Sequence, residues 1–206
     1  MKIIIRNLLI VIVICLMFFF FLPLFNPEGK QEEKKENLEL YDKKLINPIE
    51  DSNHIAILGI TMPFPLKISE LPAEFHIEDM YYDEMTDGID AGDYFHCNLL
   101  NEENEEIAYI RVTNLKQNKA VSPDEMTITY IEASAFRHDD KEYAVPFEIY
   151  GGVGIGDDYQ EVKNVFSDAE IDEKEEYAIV VFQLGSKMVT LEFLNQKVHK
   201  MSVKTY

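Results

Sequence analysis

The chain has 206 residues and a formal charge of −19, from 19 lysines and arginines against 38 carboxylates. That length suits one domain or two small subdomains packed together. So acidic a balance argues against a nucleic-acid binder, whose phosphate partners reward clustered Lys and Arg, and against lying flat on an anionic lipid surface.

The N-terminus reads MKIIIRNLLIVIVICLMFFFFLPLFNPEGK, and no residue from Leu8 to Phe25 is charged. Eighteen helical residues rise about 27 Å, close to the ~30 Å of a bilayer's hydrocarbon, so residues 1–25 are expected to form a transmembrane helix. Lys2 and Arg6 precede the run and Glu28 follows it. The positive-inside bias then puts the N-terminus in the cytoplasm and the remaining chain outside. A cleaved signal would have a shorter apolar run ending in small residues, whereas this one ends Leu22-Pro23-Leu24-Phe25. Ile12, Val13 and Ile14 before Cys15 lack the small residue that a lipoprotein signal needs. The segment reads as a retained anchor.

Residues 26–52 are rich in Glu and Lys and poor in large apolar groups, which predicts a charged linker off the membrane. From Ile55 the texture turns to β. Ile55–Ile60 is a short apolar run, punctuated by Pro63 and Pro65. Glu78–Asp93 is acidic and turn-rich, Tyr94–Leu100 predicts a strand, and Asn101–Glu106 a polar turn before the strand Ile107–Leu115. In Thr127–Ala133, Ile128 and Tyr130 fall on one face and Thr129 and Ile131 on the other, as in a strand covered on both sides. Tyr143, Val145, Phe147 and Ile149 alternate in a strand running to Tyr150.

A short amphipathic helix is expected next, with Asp157 as its cap, Gln160 completing a capping box, and Tyr159, Val162, Val165 and Phe166 on one face. Three strands follow, Tyr177–Gln183, Lys187–Leu194 and Val198–Thr205, the first two joined by a hairpin turn at Gly185-Ser186. His199, Met201 and Val203 share one face of the last strand. The predicted fold class is α+β and β-rich: a transmembrane helix, then an ectodomain of antiparallel sheet with a short helix packed on it. Its expected parts are the anchor 1–25, the linker 26–52, a β-rich subdomain 53–142 and a strand-helix-three-strand subdomain 143–206.

The stretch Ile149-Tyr150-Gly151-Gly152-Val153-Gly154-Ile155-Gly156 through Phe166, followed by three strands, resembles a recurrent extracytoplasmic module. That module is shared by the small accessory lipoprotein of the outer-membrane barrel-assembly machine and by β-lactamase-inhibitor-like proteins. It recurs in uncharacterised lipoproteins and membrane-anchored proteins of Gram-positive bacteria. Gly156, Val162 and Phe166 match the family's glycine and helix positions. Asp157 stands at the small cap residue, and Ser167 and Ala169 replace the closing glycine and proline. The resemblance covers about the last third of the chain. It implies a fold and an interaction role, and no catalytic residues.

Several constellations invite chemistry. Gly152-x-Gly154-x-Gly156 departs from the Gly-x-Gly-x-x-Gly dinucleotide fingerprint, and Asp157 and Asp158 would repel a pyrophosphate. Asp83, Asp87, Asp90 and Asp93 around Gly88 lack the ligand spacing of a calcium-binding loop. His54, His76, His96, His138 and His199 are scattered, with no zinc spacing. His96 and Cys97 are adjacent, so on a strand they point to opposite faces and cannot form a dyad. Cys97 is the only thiol beyond the anchor, so no disulfide staples the ectodomain. Ser69, Ser134 and Ser186 lack a nucleophile-elbow context. Tryptophan is absent, which disfavours a carbohydrate platform.

No catalytic, cofactor-binding or metal-ligating residue is therefore assigned, no cofactor is expected, and the chain is not read as an enzyme. The expected function is a bacterial, single-pass, membrane-tethered extracytoplasmic module that binds another protein or envelope component through a sheet face or its acidic loops. The alternatives are a cell-wall-acting enzyme, and an immunity or inhibitor protein that neutralises a cationic protein.

Overall fold

Two-residue turns with both φ angles positive match the right-handed twist of paired strands, and the chain uses them at two hairpins. In the computed structural model, which describes residues 49–78, 89–138, 141–167 and 176–205, β1 (His54–Ile57) turns through Leu58 (φ 49°) and Gly59 (φ 75°) into β2 (Ile60–Pro63). The apolar run expected at Ile55–Ile60 is thus a hairpin, not one strand. The anchor 1–25 and nearly all of the linker lie outside the described residues. The last four linker residues, 49–52, are described and belong to the folded body. Ile49 is buried and bridges Tyr150, and the Ser52 carbonyl accepts a hydrogen bond from Lys187 Nζ. The folded part therefore starts earlier than the expected 52/53 boundary.

After β3 (Leu66–Lys67) and β4 (Phe75–Ile77) come the longer strands β5 (Tyr94–Asn101), β6 (Glu106–Thr113) and β7 (Thr127–His138). The strand expected to run to Tyr150 is broken in two, β8 (Lys141–Ala144) and β9 (Phe147–Glu148). Pro146 lies in the break, where its missing N–H interrupts no ladder. β8 pairs with β7, whereas β9 pairs with β1 in a separate three-stranded sheet. The helix α1 (Tyr159–Val165) follows, then β10 (Tyr177–Leu184), β11 (Lys187–Leu194) and β12 (Lys197–Thr205). Asn195 and Gln196, at φ 51° and 67°, form the second such hairpin turn, between β11 and β12.

Among the described residues the large sheet runs β10-β11-β12-β7-β6-β5-β4, with β3 and β8 also paired to β7. β12 is antiparallel to β7, Lys200–Lys204 against Ser134–Tyr130. The expected boundary between residues 142 and 143 therefore runs through one hydrogen-bonded sheet. The β-rich α+β class holds for the described part: antiparallel sheets with one short helix.

Period-two alternation sends every second side chain inward. The pairs Cys97–Ile110, Ile110–Ile131, Ile131–Val203, Val203–Val189 and Val189–Phe182 lay an apolar row across six strands. This row joins Ile55, Ile57 and Phe147 of the small sheet, Ile149 just after it, and Tyr159 and Val162 of α1, in one core. Tyr159 meets Phe193 edge-on at 5.9 Å and Phe166 lies 4.5 Å from Phe182, which seats the helix on the inner face of the β10–β12 meander.

Among the described residues, bulges in the β5–β6, β6–β7 and β11–β12 ladders move side chains off the faces that alternation predicts. Arg111 pairs with Tyr130 but Val112 with Ile128, leaving Thr129 as the extra residue. Ile128 and Ile131 are both buried in the core, and Thr129 instead bonds Thr113 Oγ1 at 2.8 Å. At β12 the extra residue is His199, so Val198 takes the core position opposite Phe193.

Leu191 is fully buried in the middle of this core, whereas Val181 points outward at 55% exposure. Leu191→Ala is expected to cost about 2–5 kcal/mol of unfolding free energy, and Val181→Ala less than about 0.5 kcal/mol. Equilibrium urea denaturation of the two variants checks the assignment of faces.

Candidate functional site

The opposite face of the large sheet is where polar and aromatic side chains collect. Register sets two rows across it. One runs Asn98–Tyr109–Glu132–Ser202–Thr190–Val181, the other His96–Arg111–Tyr130–Lys204–Met188–Gln183. At the β5–β6 end His96 stacks on Tyr109, centroids 5.1 Å apart and planes 11° from parallel. Tyr94 meets His96 edge-on at 5.5 Å, and the Arg111 guanidinium lies 5.4 Å over the Tyr94 ring. Tyr94 is 59% exposed and Tyr109 43%, so these rings offer aromatic surface to a ligand while their neighbours hold their orientation. Beside them a shallow cleft of about 220 Å³ is lined by Asn98, Tyr109, Glu132 and Ser134, with Ala108 and Val145 among the others.

The centre of the face is an ion cluster. Lys200 Nζ lies 3.0 Å from Glu132 Oε2 and 3.5 Å from Glu192 Oε1. Tyr130 donates to Glu132, and Tyr177 donates to Glu192 at 2.8 Å. Burial disfavours charge on Lys200, but the two carboxylates outweigh it and hold the ammonium's pKa above its ordinary value. Burial, reinforced by Glu132, pushes the Tyr130 hydroxyl well above its ordinary range. The β10 end of the face is apolar, with Tyr177, Ile179 and Val181 all about half exposed.

The sequence-level candidates are distributed elsewhere. The glycines between β9 and α1 serve the backbone: Gly151, Gly152 and Gly156 have φ of 77°, 74° and 95°. A Cβ on Gly154 would lie 2.8 Å from the Phe147 carbonyl oxygen. The cap of α1 is Asp158, one residue later than expected, and Glu161 closes the capping box in place of Gln160. Asp157 is occupied with the turn before the helix, where its carboxylate accepts the Gly154 N–H at 2.8 Å.

Of the four loop aspartates, Asp83 and Asp87 lie outside the described residues, and Asp90 and Asp93 flank an exposed turn. Among the described residues no group of three or more His, Cys, Asp or Glu is placed to hold a metal. His54 lies 3.0 Å from Asp51, and His76 bonds Asn104 at 3.0 Å. His138 is on β7 and His199 on the β12 bulge. His96 faces the rings on the outer face while Cys97 is buried in the core. Burial pushes the Cys97 thiol up to about 12, with Glu78 adding to it, so it is protonated and unreactive at neutral pH. Ser69 sits in the exposed turn after β3, Ser134 on the outer face of β7, and Ser186 in the β10–β11 hairpin.

The outer-face cluster was missed by motif reading because its members come from six strands. One signal was present in the chain: Tyr94, His96 and Asn98, and Tyr109 and Arg111, alternate opposite the apolar residues of their strands. No family model, no curated protein and no solved structure matches this chain.

Two outcomes test the electrostatics. Burial, with Arg111 adding to it, holds the His96 pKa below its ordinary 6.5, so the folded state favours the neutral ring. The associated stability is present above about pH 6.5 and is lost as the pH falls through the folded pKa. Denaturation midpoints taken from about pH 7.5 down to about pH 5 should fall more steeply in the native protein than in His96→Gln; parallel profiles would contradict this. Lys200→Met leaves Glu132 and Glu192 facing each other without their cation and is expected to cost about 1–2 kcal/mol in the same measurement.

Proposed function

We propose that this chain is a membrane-tethered extracytoplasmic protein-interaction module, acting by surface recognition and not by turnover. The observation that carries the reading is the contrast between the outer face and the rest of the domain. Residues 53–206 hold thirty carboxylates against twelve lysines and arginines, a formal −18. On the six-strand face the register rows and ion cluster place the cations Arg111, Lys200 and Lys204 with the carboxylates Glu132 and Glu192, and Lys200 pairs with both carboxylates, while Glu106 lines the cleft at the β5–β6 end. The same face carries Tyr94, Tyr109, Tyr130 and Tyr177. Interface cores are enriched in Tyr and Arg and depleted of Asp and Glu, because aromatic area is gained at low entropy cost and carboxylates are expensive to desolvate. The face meets that description within a domain that otherwise repels anionic surfaces.

The tether is the apolar run Leu8–Phe25 with Lys2 and Arg6 on its cytoplasmic side. Among the described residues no helix is long and apolar enough to cross a membrane, so the tether rests on the sequence of 1–25. The order β9, glycine turn, α1, β10, β11, β12 supports the likeness of the last third to the extracytoplasmic module. That likeness favours a bacterial envelope setting and a protein partner.

In-cell crosslinking of the tagged full-length chain in its native host, read by mass spectrometry, tests the reading. The expected result is one enriched extracytoplasmic partner. It should be lost when residues 53–206 are deleted with the anchor kept, and reduced at least about tenfold by Tyr94→Ala with Tyr109→Ala. Recovery of nothing above background, or full recovery with both tyrosines removed, would overturn it.

A further inference from the structure

Sheet edges carry unpaired N–H and C=O groups, and natural proteins blunt them with short strands, prolines, charges or bulges. The described edges here differ sharply in that respect. β4, at one end of the large sheet, has three residues. β2, at the edge of the small sheet, has four and ends in Pro63. β10, at the other end of the large sheet, has eight residues, Tyr-Ala-Ile-Val-Val-Phe-Gln-Leu, with no proline and no charge. Its register with β11 is unbroken from Tyr177–Leu194 to Leu184–Lys187, so it has no bulge. Among the described residues no strand pairs with its far side. Tyr177, Ile179 and Val181 stand outward at 49, 54 and 55% exposure.

We infer that β10 is a strand-addition site whose occupant is an extended, apolar segment of a partner protein flanked by lysine or arginine. The inference rests on the protein-binding reading above and names the partner's chemistry. Main-chain hydrogen bonds along β10 would provide the pairing, and Ile179 and Val181 would contact alternate side chains of the added strand. Charge selects the occupant. Glu176 is exposed at the start of β10, β10 itself carries no cation, and residues 53–206 have a formal charge of −18. A second copy of this chain would bring another acidic domain to the same edge, whereas a cation-flanked segment is drawn to it.

The test places the photo-crosslinking residue p-benzoylphenylalanine at position 179 in the full-length chain in its native host, and separately at position 109 on the aromatic end of the sheet. The expected product at 179 is a partner segment with alternating apolar residues and net positive charge. A synthetic peptide of that segment, titrated onto the purified full-length chain in nanodiscs, should bind at least about tenfold more weakly when salt is raised from about 50 to about 300 mM. Its N-methylated version, with the same side chains and no backbone donors, should lose about tenfold or more.

Capture of a second copy, capture of an uncharged or acidic segment, or equal binding of the N-methylated peptide each overturns the inference. Crosslinking at 109 with none at 179 overturns it while leaving the protein-interaction reading intact. Silence at both positions removes both.

Discussion

The antiparallel ladder between β7 and β12 is the constraint on which the remaining structure depends. Tyr130–Ser134 pair with Lys200–Lys204, about seventy residues later in the chain. Without this ladder the β10–β12 meander and the β4–β7 strands would each be a small sheet with an exposed apolar face. With it, Ile131 meets Val203 and Ala133 meets Met201, and one apolar surface runs from Cys97 to Phe182. Closing so long a loop costs entropy that grows only slowly with length, and the burial of a continuous core face offsets it.

The same ladder builds the outer face. Glu132 belongs to β7, Lys200 to β12 and Glu192 to β11, so their ion cluster exists only when these three strands are in register. The half-buried cluster stiffens the middle of the face, since each charge would be costly without its partner. Either side of it the surface changes character, to stacked rings at β5–β6 and to bare aliphatic side chains at β10. Core and candidate interface are thus two sides of one set of strands, coupled by the period of two.

Chain entry into this body is also anchored. Ile49 is buried against the β9–α1 region through its bridge to Tyr150, and Gly151 donates to the Ile49 carbonyl at 2.9 Å. Lys187, itself buried, reaches the Ser52 carbonyl, and burial lowers its pKa, with Asp51 opposing the shift. Residues 49–52 are therefore held by the turn that follows β9 and by the start of β11.

The sequence by itself determined the β texture, the meander β10–β12 with its first hairpin turn at Gly185-Ser186, one amphipathic helix and the lack of any metal or nucleotide spacing. These are local properties: alternation, turn residues and capping types act within a few positions of the chain. Only the tertiary structure decided that β12 pairs with β7, that the chain changes sheets around Pro146, and that Ile49 joins the core. Strand partners are chosen by complementary surfaces far apart in sequence, which no local period encodes. The bulges at Thr129 and His199 lie between consecutive strands, β6–β7 and β11–β12, and each absorbs one extra residue so that the apolar positions on either side of it stay on the core face. The helix cap moved by one residue, from Asp157 to Asp158, because the Gly154 N–H in the preceding turn claims the Asp157 carboxylate. The aromatic and ionic outer face was legible only as scattered polar alternation, since its residues become neighbours when six strands align.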